Sequence, residues 1–259
     1  MNRPRLPSPK CFARLLAISI IALTTAGMAQ AATGDRPAFR FNISPNGYPP
    51  YLIVDGAKPS GIMWEVINTI VPRLGYKVMP RKIPRKRVDQ MLADDYLDGT
   101  PRAVEWTENP ENYLFTDAVV NVEEVFFFPK DSGLDFEHPT DLFGKTVVAH
   151  LGYLYPTLEP YFADGKIKRF DVSRDRDMFR FVLLGEQFDA ALADKLAGQW
   201  ILRNEGLSDQ FRSSTEGISQ YGFRLMLRKD WSDFAEDFNR ELAVMRDNGE
   251  LDAILANYR

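Results

Sequence analysis

The chain is poor in the residues that most often build catalytic and metal sites: it has one cysteine and two histidines among 259 residues. Cys11 lies in an N-terminal basic stretch, so the rest of the chain has no thiol. Disulfides, cysteine nucleophiles and thiolate metal sites are thereby excluded from its body. His138 and His150 stand apart and are too few for a histidine metal cluster. No serine occupies a Gly-x-Ser-x-Gly elbow. Phe143-Gly144-Lys145-Thr146 imitates the tail of a phosphate loop, but Pro139 stands where that loop needs its first glycine. The segment also precedes a predicted strand instead of following one. Adjacent acids, Asp94-Asp95 and Glu123-Glu124, point apart on a helix or strand and are expected in solvent.

Long apolar runs and clustered basic charge are missing as well. The longest apolar stretch, Leu15 to Leu23, is about half of the roughly 20 residues that a membrane span needs. Residues 1–31 hold Arg3, Arg5, Lys10 and Arg14 and no acid. Without those four, 28 basic residues face 36 acidic ones among 228, a net charge of −8. So acidic a body is a poor partner for nucleic acid, whose phosphates need clustered Lys and Arg.

What is present begins with an export signal. The basic stretch, the apolar run and then Ala29-Gln30-Ala31 follow the order that a signal peptidase reads. A lipoprotein cysteine would follow the apolar run, whereas Cys11 precedes it. Residues 1–31 are therefore expected to be a cleaved signal peptide, and the product a soluble periplasmic protein.

The body alternates strand and helix signals. Ala38–Ser44 reads as a strand that runs into the rigid aromatic turn Tyr48-Pro49-Pro50-Tyr51. Ser60 is placed to cap a helix carrying Ile62, Val66, Ile67, Ile70, Val71 and Leu74, with Gly75 at its stop. Strands are expected over 77–83, 115–128, 145–150, 188–192 and 221–227. Helices are expected over 87–96, from Ser173 to Gly185, over 195–203, and through Phe234, Phe238, Leu242 and Met245. Such alternation predicts an α/β architecture with mostly parallel sheets. No internal repeat or low-complexity linker divides it.

Several segments carry a resemblance. Tyr48-Pro49-Pro50-Tyr51 followed by Gly61-Ile62-Met63-Trp64-Glu65-Val66 resembles the opening of the family 3 bacterial extracellular solute-binding proteins, the receptors of polar-amino-acid ABC importers. Leu92 through Asp98 resembles the end of that family's second helix and the start of its third strand. Phe115-Thr116-Asp117 is similar to its Phe-Ser/Thr-x-Pro entry to the first crossover, with Ala118 in place of proline. Asp141-Leu142-Phe143-Gly144-Lys145-Thr146-Val147, followed by Gly152, and Leu184 through Ala191, ending in Asp194, resemble two further family segments. The likeness runs from about Phe39 to Tyr258.

The resemblance implies a type II periplasmic-binding-protein-like fold, two α/β lobes joined by two crossover hinge strands with a ligand cleft between them. Lobe one is expected over 32–118 plus 224–259, lobe two over 124–218, and the hinges at 118–124 and 219–223. Closure of the lobes on a ligand would be a hinge motion. Tyr48 matches the family's stacking tyrosine. Tyr51 either joins it in the cleft or packs into the lobe. Gly152-Tyr153 matches a Gly-Thr or Gly-Ser at a helix N-terminus that receives an anionic group, although Tyr153 is far bulkier. Asp194 matches the aspartate that holds a ligand ammonium, and as a carboxylate before Lys195 it can equally cap the following helix.

The family's Thr-x-x-Arg segment, whose arginine forks onto a ligand carboxylate, is Trp106-Thr107-Glu108-Asn109-Pro110-Glu111 here and has no arginine. Arg102 or Arg85 can replace it, or either can be an ordinary surface arginine. Trp106 walls the pocket or packs beneath it. The implied function is a receptor that delivers a small polar solute, an amino acid or a related amine or peptide-like compound, to an inner-membrane ABC permease. It is expected to be a monomer, with no metal or cofactor and no catalytic residues. Two alternatives share the scaffold: a periplasmic enzyme resembling cyclohexadienyl dehydratase, with its acid drawn from Glu105, Glu108 or Asp194, and a ligand receptor for a sensor kinase.

Overall fold

The computed structural model describes residues 36–259, and the expected signal peptide lies outside them. Its first half-sheet begins with β1 (Ala38–Ile43), where Phe39, Phe41 and Ile43 are buried. The polar Arg40 between them binds the fully buried Asp98, its backbone N–H at 2.7 Å and its Nε at 2.9 Å. Next comes α1 (Ile62–Arg73), which buries Ile62, Met63, Val66, Ile67, Ile70 and Val71 along one stripe, as the helical period demands. It stops at Gly75, whose φ of +85° suits a residue without Cβ.

The helix start differs from the Ser60 cap expected from sequence. The N-cap is Gly61, at φ +107°, and no side chain caps the helix. Ser60 is instead tied to Ile53 in a two-residue bridge. A Cβ on Gly61 would lie 2.7–2.8 Å from the Pro50 and Tyr51 backbones, so the aromatic turn and the helix approach too closely for any other residue.

This half continues with β2 (Lys77–Lys82), α2 (Arg85–Ala93), β3 (Gly99–Arg102) and the short β4 (Leu114–Phe115). β5 (Val120–Pro129) then leads into β6 (Thr146–His150), α3 (Glu159–Ala163), β7 (Lys168–Val172), α4 (Asp175–Leu184), β8 (Ala190–Asp194), α5 (Lys195–Glu205) and β9 (Phe211–Ser213). The chain returns through β10 (Ser219–Leu227) and finishes with α6 (Ser232–Asp247) and α7 (Glu250–Ala256). Strand order is β2-β1-β3-β10-β5-β8-β6-β7, with β4 on β10 and β9 on β5.

Two strands join the halves. Ser219–Phe223 of β10 pair antiparallel with Val120–Glu124 of β5, while Arg224–Leu227 pair with β3. β5 is buried on both faces, as a central strand covered on each side must be. Val125 and Phe127 pack into a core with Phe179 and Val182 of α4 and Ile201 and Leu202 of α5. Phe126 and Phe128 pack on the other side with Phe136, Leu142 and Val147. A separate core, built around β1, α1 and α6, fills the first half. This is the two-lobed binding-protein architecture, with a cleft where the lobes meet.

Several elements depart from the sequence expectation. The β-prone run 115–128 is two strands, broken between Phe115 and Val120, where Thr116 Oγ1 accepts from the Leu225 N–H. β7, α3 and α7 were not anticipated. β7 is an edge strand carrying Lys168, Arg169 and Asp171, so it lacks the alternation of a half-buried strand. No helix among the described residues is long and apolar enough to cross a membrane.

Candidate functional site

A cavity of about 870 Å³ opens where the two lobes meet. Its floor is aromatic. Tyr48 leaves β1 through a tight turn, exchanging backbone hydrogen bonds with Leu52 at 2.7 and 2.9 Å. Its ring centroid lies 5.2 Å from Tyr51, 5.9 Å from Phe223, 6.0 Å from Tyr153 and 6.4 Å from Trp106. All but the Tyr51 contact are edge-to-face, the geometry that aromatic quadrupoles favour. Tyr153 comes from the second lobe, so this cluster spans the cleft. Burial and the charge of Asp194 hold the Tyr48 phenol well above the ordinary tyrosine value, leaving it a protonated donor.

The cationic wall comes from β3 and α2. Arg102 ends β3 and is 4% exposed. Its Nη1 donates to Asp89 Oδ1 at 2.8 Å, and its buried Nε has no partner. Burial, reinforced by the charge of Arg85, lowers its pKa, the sign of a cation short of compensation. Arg85 opens α2, donates from Nη2 to the Trp106 carbonyl at 2.9 Å, and lies 5.6 Å over the Tyr153 ring. Asn42 of β1 lines the same space. Its Nδ2 donates to Thr100 Oγ1 at 3.0 Å, and its buried Oδ1 is unpartnered.

Of the residues named from sequence, Tyr48, Arg85, Arg102, Trp106 and Tyr153 line the cavity, whereas Tyr51, Thr107, Gly152 and Asp194 do not. Tyr51 is fully buried and donates its hydroxyl to Asp194 Oδ1 at 2.7 Å. Thr107 is buried and donates to the Ala103 carbonyl at 2.9 Å. Gly152 lies in the turn after β6 at φ +81°, and no helix begins there: α3 starts at Glu159. Asp194 is 5% exposed. It caps α5 by accepting from the Ala197 N–H at 2.8 Å, and its Oδ2 accepts from the Glu123 N–H at 3.0 Å. Burial pushes its carboxyl up to about 6, against the pull of these hydrogen bonds.

Glu124 corrects the expectation that the paired acids are solvated. It is 3% exposed, accepts from Trp106 Nε1 at 3.2 Å and from the Ser219 hydroxyl, and stands opposite Asp194 in the β5–β8 register. Burial pushes its carboxyl up to about 7. Sequence reasoning also missed Asn42, Phe223 and, at the start of α4, Arg174, Asp175 and Arg176. Asn42 and Phe223 lie in segments read simply as strands, and the other three in the polar run Ser173 to Asp177, read simply as a helix start. No cluster of His, Cys, Asp or Glu fit to hold a metal ion occurs among the described residues.

The chain is 24% identical over 220 residues, 80% of each protein, to the arginine-binding extracellular protein ArtP of Bacillus subtilis (strain 168). Its fold is similar to that of an ancestral arginine-binding protein bound to arginine, with a TM-score of 0.73, 19% identity, and coverage of 86% of this chain and 99% of the other. It is equally similar to a histidine kinase sensor domain resembling periplasmic binding proteins, with a TM-score of 0.72, 22% identity, and coverage of 86% and 96%. The sequence profile of the bacterial extracellular solute-binding proteins, family 3, matches residues 42–259. With that match spanning almost all of the described chain, and with the lobes, crossovers and cleft in place, the protein belongs to family 3 of the bacterial extracellular solute-binding proteins.

Proposed function

We propose that the chain is a periplasmic receptor, exported by residues 1–31, that captures a small polar solute of the amino-acid class and delivers it to an ABC importer of the inner membrane. The observation that carries this reading is the pairing, in one cavity, of an aromatic floor with a buried arginine whose Nε lacks a partner. An aromatic floor takes the apolar or planar part of a solute, and a desolvated guanidinium takes its carboxylate. The arginine-binding relatives support the amino-acid class. Segments 118–124 and 219–223 act as the hinges. Ligand contacts made only when the lobes meet would favour the closed state.

The test is a thermal-shift screen of residues 32–259 against amino acids, amines, small peptides, organic acids and prephenate. A ligand at about a thousand times its dissociation constant adds roughly 4 kcal/mol, on the order of 8–16 °C for a chain of this size. A shift with an amino acid or a related compound, without its consumption, is the expected result. Conversion of prephenate would establish the dehydratase-like enzyme instead. A ligand-dependent complex with a sensor kinase, and none with a permease, would assign the receptor to sensing.

A further inference from the structure

Asp194, the residue matched to an ammonium-binding aspartate, is already occupied. Its Oδ1 receives the Tyr51 hydroxyl at 2.7 Å and the Ala197 N–H at 2.8 Å, and its Oδ2 receives the Glu123 N–H at 3.0 Å. It is 5% exposed and contributes nothing to the cavity wall. An ammonium group could reach it only by displacing the Tyr51 phenol, which is itself fully buried and would lose its partner.

The cavity has a different free carboxylate. Asp175, the first residue of α4, lines it from the second lobe. Among the described residues nothing donates a hydrogen bond to it, and neither flanking arginine, Arg174 or Arg176, forms an ion pair with it. Burial pushes its carboxyl up while the nearby His150 pulls the other way. His150 uses Nδ1 on the Leu151 carbonyl and stacks on Tyr153, with ring centroids 4.1 Å apart. From the first lobe, the unpartnered Asn42 Oδ1 is a second acceptor, and the unpartnered Arg102 Nε is a donor. Each of these two side chains is at least nine-tenths buried, so the polar atoms have no ready substitute in bulk water.

We propose that the ligand is an organic acid whose cationic group is set apart from its carboxylate, with the carboxylate on Arg102 and Arg85 and the cationic N–H donors on Asp175 and Asn42, so that an α-ammonium group is not read. This rests on the receptor reading and narrows its solute class. An ω-guanidino or ω-amino acid supplies a carboxylate for the two arginines and a cationic group for Asp175 in the same cavity. It also leaves the Tyr51–Asp194 bond intact, and its chain can lie on the ring of Tyr48.

The test compares three probes by titration calorimetry on residues 32–259: L-arginine, its deamino form δ-guanidinovalerate, and its decarboxylated form agmatine. The deamino acid is expected to bind at least as well as arginine, and agmatine roughly tenfold or more weakly, the size of a lost charge-assisted hydrogen bond. Asp175→Asn should weaken the deamino acid by a similar factor. Tyr51→Phe, which removes one of the two donors to Asp194 Oδ1 and leaves only the Ala197 N–H on it, should shift preference toward arginine. A loss of roughly tenfold or more on removing the α-amine from the wild-type ligand would overturn the proposal, and that comparison stands even if Asp175→Asn fails to fold. Binding of none of the three also overturns it. A shift elsewhere in the broad screen would then preserve the receptor reading, and silence throughout would remove both.

Discussion

Glu124 shows how much one buried side chain can govern. In the unfolded chain a glutamate titrates near 4.5, and burial on the crossover strand β5 raises it to about 7, with the hydrogen bonds from Ser219 and Trp106 only partly offsetting the effect. Between those values the native state holds more protons than the unfolded state, so stability falls as pH rises through the window. The shift corresponds to on the order of 3 kcal/mol. Glu124→Gln keeps an acceptor for Trp106 and removes the titration. Melting temperatures measured from pH 4.5 to 8 should therefore fall less steeply for the variant than for the wild type, and equal slopes would contradict the assignment. At this scale the sequence was legible where a residue type has few uses. A tyrosine in a proline-rich turn and an arginine at a strand end pointed to the cleft, and Tyr48 and Arg102 line it. Asp175 was not legible, because an aspartate between two arginines reads as solvated surface until the fold turns it inward. Glu124 failed for the same reason: adjacent acids look exposed, and only the fold turns Glu124 onto Trp106 and Ser219 while Glu123 faces Lys195.

At the scale of elements, α5 ties the cleft to the second core. Its cap is Asp194, and its inner face meets β5 so closely that a Cβ at Gly198 would lie 2.3 Å from two ring atoms of Phe127. That ring is 1% exposed and packed edge-on against Phe179 at 5.3 Å, so displacing it disturbs the second core. Gly198→Ala gains up to about 1 kcal/mol of helix propensity, but overpacking costs about 1–3 kcal/mol, and the second effect wins. The variant should melt several degrees lower by calorimetry. Most elements were readable because their apolar periodicities are strong: α1 has an unbroken stripe and β5 is apolar on both faces. Those that escaped are short or on an edge. β7 is charged along its exposed side, and α7 has only seven residues, started by Gly249 in a left-handed turn. The boundary of α1 slipped because a serine is a good cap in general, while here the close approach of two backbones demands glycine.

For the whole molecule, the question is whether two lobes with separate cores unfold as one body. β10 spends half its length on β5 and half on β3, so neither half-sheet is complete without it. Latches reinforce this: Tyr51 on Asp194, Trp106 on Glu124, and the Trp200 ring 5.9 Å from Tyr258. These contacts argue for a single cooperative transition, and the tryptophans allow a direct check. Three of the four, Trp64, Trp106 and Trp231, belong to the first lobe and pack against its core, so in a Trp200→Phe background their fluorescence reports on that side. Phe127 lies in the core of the second lobe. Phe127→Ala should cost about 3–5 kcal/mol by leaving a cavity beside α4 and α5. If the molecule unfolds as a unit, the denaturation midpoint seen by tryptophan fluorescence must fall with the one seen by far-UV circular dichroism. A fluorescence midpoint that stays at the wild-type value while the dichroism signal splits would mean that the lobes fold independently. The hinge strands would then be flexible connectors, and the latches across the cleft would contribute to closure but not to folding.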